Sequence, residues 1–266
     1  MKRKNERKGT QTHAVSLVSL IDPSSPVAEQ YRTIRTNIQF ASSADQQVKT
    51  IVVTSSGPSE GKSLSSANLA AVFAQTGDQQ VKTIVVTSSG PSEGKSLSSA
   101  NLAAVFAQTG QRVLLVDADL RKPTIHKTFQ LNNEAGLSTV LSTGVKAGET
   151  AQKTAVENLS ILTSGPKPPN PSELLGSAKM NQIMEEARNI FDIVIFDMPP
   201  VVAVTDAQIM SSKADGTLLV VRENWTRKDA ITKAKELLDL VQARVLGVIY
   251  NGSEQSKDKA YYYYSD

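Results

Sequence analysis

The sequence predicts an α/β fold, a doubly wound and mostly parallel sheet built around a phosphate-binding loop. Three observations predict it. Short apolar, β-branched runs alternate with helix-length segments along the chain. A glycine-containing loop joins one such run to an Ala/Leu-rich segment. Two further runs end in aspartate, which places carboxylates at strand carboxyl ends, where open α/β sheets bind ligands.

Residues 1–24 read as a flexible basic tail. Lys2, Arg3, Lys4, Arg7 and Lys8 against Glu6 give +4 in the first eight residues and leave −1 for the rest of a chain of formal charge +3. A nearly neutral body argues against nucleic-acid binding. The tail reads either as a solvated end or as a weak attraction to anionic lipid. Ser25 to Phe40 is expected to be helical, with Pro26 in its first turn and Val27, Tyr31, Ile34 and Ile38 at roughly helical spacing. On that helix Glu29, Arg32 and Arg35 stand three residues apart. They read either as ordinary surface pairing or as a contact between protomers.

Asp45 to Gly77 is identical, residue for residue, to Asp78 to Gly110. Two copies without drift read as a recent tandem duplication or an artefact, because a solenoid needs at least three units. Each copy carries a phosphate loop, Gly61-Lys62-Ser63 in the first and Gly94-Lys95-Ser96 in the second. In the second, Ile84-Val-Val86 is the strand, and the nucleotide-binding loop comprises Ser89, Gly90, Pro91, Ser92, Glu93, Gly94, Lys95, Ser96 and Leu97. Loop amides cradle phosphate oxygens at a helix N-terminus. Lys95 reaches the β- and γ-phosphates of ATP, and the Ser96 hydroxyl is a ligand for Mg²⁺. Ser89 stands where the usual pattern has its first glycine, so the loop is a variant. The second copy is expected to be the working one. Only Thr109-Gly-Gln-Arg112 separates its helix from the next strand, a usual length for such a connection.

That next strand, Val113 to Val116, ends in Asp117-Ala-Asp119. Two acids two residues apart on an extended backbone face the same way. Together they suit a hydrated Mg²⁺ and the orientation of an attacking hydroxyl, with loop solvation the plainer reading of either acid alone. Leu159 to Leu162 reads as a strand, followed by a proline-rich loop and helical stretches from Ser172 to Asn189. Ile193-Val-Ile-Phe-Asp197 is a third acid-tipped strand, with Asp197 on Mg²⁺ through water. A short helix from Asp206, a strand over Thr217 to Val221, a helix over Arg227 to Val241 and a strand over Val245 to Tyr250 complete the alternation. Asn251 then reads either as a turn residue or as an amide that recognises adenine. The end of the chain, residues 253–266, reads as a flexible tail holding Tyr261, Tyr262, Tyr263 and Tyr264. It is either a sticky end or a modifiable one. There is no cysteine, which excludes disulfides and thiolate metal sites. No apolar run approaches the ~18 residues of a membrane span, and no apolar core follows the basic N-terminus to make a signal peptide.

Taken in order, Glu29-x-x-Arg32-x-x-Arg35, the second phosphate loop, Leu115-Val-Asp-Ala-Asp-Leu-Arg121, the Asp197 element and the terminal tyrosines resemble the motifs of the bacterial tyrosine autokinases of capsule and exopolysaccharide synthesis. The likeness covers nearly the whole chain except one repeat copy. It implies a kinase domain over residues 25–252 with the P-loop NTPase architecture of the deviant-Walker type. It implies Lys95, Asp117, Asp119 and Asp197 as catalytic residues, with Ser96, Asp119 and Asp197 holding Mg²⁺. Transfer from ATP to Tyr261–Tyr264 would run between subunits of a ring-like homo-oligomer held partly by Glu29, Arg32 and Arg35. A separate transmembrane activator would bring the cytoplasmic kinase to the inner face of the membrane. Two rival readings are a membrane-surface positioning or partitioning ATPase and a nucleotide-binding scaffold impaired by the duplication. The first carries a lysine at the loop position that is Gly90 here, and Gly57 in the other copy.

Overall fold

A computed structural model describes residues 17–42, 81–143 and 145–252. The basic residues before 17, the first repeat copy and the tyrosine tail lie outside the described residues. The chain runs α1 (Val18–Ile21), α2 (Pro26–Ser42), β1 (Thr83–Ser88), α3 (Lys95–Ala107), β2 (Val113–Asp117), α4 (Ile125–Thr128), α5 (Leu137–Thr143), α6 (Ala147–Thr150), β3 (Gln152–Lys153) and β4 (Leu159–Leu162). It continues through α7 (Pro171–Gly176), α8 (Ala178–Ile190), β5 (Ile193–Asp197), α9 (Asp206–Ser211), β6 (Gly216–Arg222), α10 (Lys228–Leu240) and β7 (Val245–Asn251).

Among the described residues the sheet has seven strands in the order β3-β4-β2-β5-β1-β6-β7. All neighbours are parallel except the short β3 against β4. A strand buried on both faces needs apolar side chains at every position rather than alternate ones. The stretches Ile84–Val86 of β1, Val113–Val116 of β2 and Ile193–Phe196 of β5 meet that need, and all three strands are buried throughout, polar ends included. Alternate residues feed two core layers. Ile84, Val86, Leu115 and Ile195 pack with α2 and α3, whereas Val85, Leu114, Val116 and Phe196 pack with α7 to α10. Each fully buried Leu or Ile contributes about 1.5–3 kcal/mol by leaving water.

Helix α3 lies between the sheet and helices α1 and α2. Every residue from Ser98 to Ala107 is buried. A helix covered on all sides has no polar face to show, and its Ser and Ala residues let the flanking layers approach. On α2 the buried face is Ala28, Tyr31 and Ile38, while Val27 is 45% exposed. The expected contribution of Val27 is therefore corrected: one residue further along turns the side chain about 100°, and Ala28 takes the inward place.

For residues 17–24, the described part of the expected flexible tail, the expectation of loose packing is also corrected. Leu17 and Ser19 are buried. The Ser19 amide and hydroxyl both donate to Asn101 Oδ1, at 3.1 and 2.9 Å. Gln108 Nε2 donates back to the Ser19 carbonyl at 3.2 Å. Asn101 of the buried helix α3 and Gln108 just past its end thus both bond Ser19 of α1, which fixes this segment against the body. No helix among the described residues is long and apolar enough to cross a membrane.

Candidate active site

The site lies at the carboxyl ends of β1, β2 and β5. Strand β1 is an interior strand between β5 and β6, with Ile84 level with Ile195 of β5 and Gly216 of β6. It belongs to the second repeat copy, so Lys95 opens the helix that follows this strand. Between them the loop turns with Ser92 at φ 62° and Gly94 at φ 91°. The left-handed conformation at Gly94 suits glycine. A Cβ there would also stand 2.0 Å from Asn251 Nδ2.

The replacement of the first loop glycine by Ser89 has a local cause. The Ser89 amide and hydroxyl donate to the Glu93 carboxylate at 3.0 and 2.8 Å. Both residues are buried. The serine closes the loop on itself, and a carboxylate inside the loop is satisfied by that pairing.

Lys95 Nζ stands 3.0 Å from Asp119 Oδ2 and 3.7 Å from Asp197 Oδ2, and 3.3 Å from Ser96 Oγ. Burial pulls the ammonium down, but Asp197 and Asp119 outweigh it and hold the pKa above the ordinary lysine value. The other oxygen of Asp119 accepts from the Arg121 and Lys122 amides at 3.3 and 2.9 Å. Asp197 Oδ1 accepts from Ser99 Oγ at 3.0 Å, while its Oδ2 is buried without a hydrogen-bond donor. Burial raises the Asp197 pKa, only partly offset by Lys95.

Asp117 is fully buried and sits level with Asp197 on the neighbouring strand. Its Oδ2 accepts from the Thr124 and Ile125 amides at 3.1 and 3.0 Å, and its Oδ1 has no partner. Burial first, and then the Asp197 charge, push the carboxyl up to about 8. The two acids of Asp117-Ala-Asp119 therefore have different partners. Asp119 meets the lysine, and Asp117 meets the returning chain beyond Pro123.

Three buried acids surround one ammonium, and one oxygen each of Asp117 and Asp197 lacks a hydrogen-bond partner. This donor set fits a hydrated Mg²⁺, which binds through one or two carboxylates and takes its remaining ligands from water and phosphate. Among the described residues no group of three or more acids and histidines is arranged to hold a metal alone.

The sequence reading did not single out Ser99 as a partner of Asp197. It also gave Asp206 no role beyond opening a helix. Arg121 forks onto the buried Asp206 carboxylate through Nε and Nη2, both at 2.9 Å, and Nη2 reaches Ser172 Oγ at 3.0 Å. This ties the Asp119 loop to α7 and α9. The signal available was an acid opening a helix beside an arginine-bearing loop. Asn251 Nδ2 donates to the Glu93 carbonyl at 3.0 Å, so the amide touches the loop itself. Glu29 and Arg32 pair at 2.7 Å, and Arg35 Nη1 donates to the Val105 carbonyl at 2.9 Å. Within one chain, then, the first two make a surface pair and the third anchors α2 on α3.

A doubly wound, mostly parallel sheet with a lysine-bearing loop after an interior strand and aspartates at the ends of the next two strands, β5 and β2, defines a P-loop nucleotide-site protein. The AAA domain family matches residues 81–245. Within that class, the chain belongs to the bacterial tyrosine-protein kinases. It is 42% identical over 249 residues to the tyrosine-protein kinase YwqD of Bacillus subtilis (strain 168), covering 94% of this chain and 91% of that one. The crystal structure of a chimerical protein, CapA2B2, superposes with TM-score 0.72 at 37% identity over 88% of each chain. The kinase domain of Escherichia coli tyrosine kinase ETK gives TM-score 0.74 at 28% identity, covering 98% of this chain and 89% of that one. The P-loop α/β architecture expected from the sequence is the one observed, and the positioning-ATPase alternative is not favoured.

Proposed function

We propose that this chain is an ATP-dependent tyrosine kinase that phosphorylates Tyr261–Tyr264 of neighbouring copies and regulates capsular or exopolysaccharide synthesis. One observation carries the reading. Lys95 sits on Asp119 and near Asp197 in a buried cluster with spare carboxylate oxygens, in a chain of the tyrosine-kinase family that carries four consecutive tyrosines at 261–264.

ATP supplies the phosphoryl group, and Mg²⁺ neutralises charge on its oxygens. The amides of the 89–97 loop and Lys95 hold the phosphates, with Lys95 leaving Asp119 to do so. Ser96, Asp119 and Asp197 hold the metal. Asp117 orients the incoming tyrosine hydroxyl. A carboxyl near its ordinary value is about six pH units below a tyrosine, pKa ~10. At about 8, Asp117 narrows that gap. Late proton transfer in a loose transition state reduces the need further. Asn251, whose amide touches the loop, is the residue for recognising adenine. The Glu29, Arg32 and Arg35 face of α2 contributes to a ring-like homo-oligomer. A transmembrane activator recruits the kinase to the inner face of the membrane.

The test mixes two chains with ATP, Mg²⁺ and the cytosolic part of a candidate activator. One carries Lys62→Ala and Lys95→Ala with its tail intact. The other is active and lacks residues 253–266. We expect phosphate on Tyr261–Tyr264 of the inactive chain, located by mass spectrometry. An unmodified tail overturns transfer between molecules.

A further inference from the structure

Three consecutive carbonyls of the phosphate loop are each held from outside by a different side chain. Trp225 Nε1 donates to the Pro91 carbonyl at 3.3 Å, Arg222 Nη1 to the Ser92 carbonyl at 3.0 Å, and Asn251 Nδ2 to the Glu93 carbonyl at 3.0 Å. All three donors come from the ends of β6 and β7, across the site from the three aspartates. We propose that Arg222, Trp225 and Asn251 form a brace that sets the loop amides to receive phosphate. They are positioning residues for the nucleotide site, and the proposal rests on that reading of the site.

The argument is geometric. A trans peptide is planar, so its C=O and the next N–H point in opposite directions. Fixing the carbonyls of Pro91, Ser92 and Glu93 outward therefore aims the amides of Ser92, Glu93 and Gly94 inward. Among the described residues these three amides donate to no protein acceptor. They are spare donors facing the space above Lys95, as an oxyanion requires. The Ser89–Glu93 clasp fixes the loop from within, and the brace fixes it from without.

The brace is itself held. The Arg222 guanidinium lies 5.4 Å from the centre of the Trp225 ring, a cation–π distance. The Arg222 amide donates to Thr226 Oγ1 at 2.9 Å, and the Glu223 amide to the Asn251 carbonyl at 2.9 Å. Gly252, at φ 76°, would bring a Cβ to 3.3 Å from Arg222 Cγ, so the glycine leaves room for the arginine stem. Trp225 is nevertheless 60% exposed. Such an indole is poorly placed to serve core packing, which leaves its hydrogen bond and ring contact as its roles here.

The test uses the full chain with ADP and with inorganic tripolyphosphate, which lacks a base. Binding is measured by calorimetry beside the thermal melting of the ligand-free protein. The variants are Trp225→Phe, which keeps a ring and loses the donor, Arg222→Ala, and Arg222→Lys as the conservative rescue. We expect Trp225→Phe to weaken both ligands by about two- to threefold and Arg222→Ala by about three- to tenfold, since a single hydrogen bond is worth that much. Arg222→Lys should recover most of the loss, and the ligand-free melting should stay put. Loss confined to ADP would make the pair a base contact and overturn the brace. Unchanged binding by Trp225→Phe and Arg222→Ala, with a parent that binds, would also overturn it and leave the nucleotide site standing. A parent that binds neither ligand would overturn the nucleotide site and the brace together.

Discussion

The two ends of the sheet treat carboxylates in opposite ways. At the amino end Asp215 uses both carboxylate oxygens. Oδ2 accepts from the Lys82 amide, the Thr83 amide and Thr83 Oγ1, and Oδ1 accepts from Arg188 Nη2 at 2.8 Å. At the carboxyl end Asp117 Oδ1 and Asp197 Oδ2 are buried without a hydrogen bond, and Asp197 Oδ2 has only the 3.7 Å ion pair with Lys95. A satisfied carboxylate fixes the register of its neighbours, whereas an unsatisfied one costs stability in the free protein. The second arrangement is relieved either by a proton, as the raised Asp117 pKa shows, or by an arriving cation. One end therefore serves the fold and the other serves the ligand.

Substitutions at each end should separate these roles. The largest effect is expected from Lys95→Ala, which removes the one cation among the three aspartates. ATP affinity should fall by about 10- to 100-fold, the worth of charged hydrogen bonds to phosphate. Lys62→Ala should leave it unchanged, and loss with Lys62→Ala alone would reassign the working copy. Next is Arg188→Ala at the amino end. Denaturant unfolding should show a loss of about 1–3 kcal/mol, because Asp215 and Thr83 lose a shared donor. ATP affinity should stay within about twofold, and a large drop would erase the contrast between the ends.

The smallest effect concerns pH. Asp117 has a folded pKa of about 8, above the ~3.9 of an unfolded aspartate. Between those values the folded chain holds a proton that the unfolded chain has released, so stability falls as pH rises. Asp117→Asn carries no such proton. In chelator and without nucleotide, its stability relative to the parent should grow from pH 5 to pH 7.5, by about 1 kcal/mol or more. A constant difference would mean that Asp117 titrates normally.

Much of this was legible in the sequence. Apolar runs that end in an acid placed Asp117 and Asp197 at strand ends, and the loop before an Ala/Leu-rich segment placed Lys95. Periodicity reports which face of an element is buried, and it found β1, β2, β5 and most of α2. It does not report hydrogen bonds between distant residues. Ser19 and Asn101 are 82 positions apart, so the packing of α1 left no local trace. Nor could spacing reveal that Asp117 and Asp119 part company, because that depends on where the chain returns after Pro123 and offers the amides of Thr124 and Ile125.

The position of β1 has a consequence for how the chain is made. Its two neighbours are β5 and β6, and Thr83 pairs with Val194, 111 residues later. At ribosomal speeds that separation is on the order of ten seconds. Both copies of the loop segment leave the ribosome before either neighbouring strand exists, and the first copy leaves earlier. The slot between β5 and β6 is filled by the copy covalently closest to β2, not by the one synthesised first. Shortening the connection between the second copy and β2 would sharpen that preference, and lengthening it would let the two copies compete.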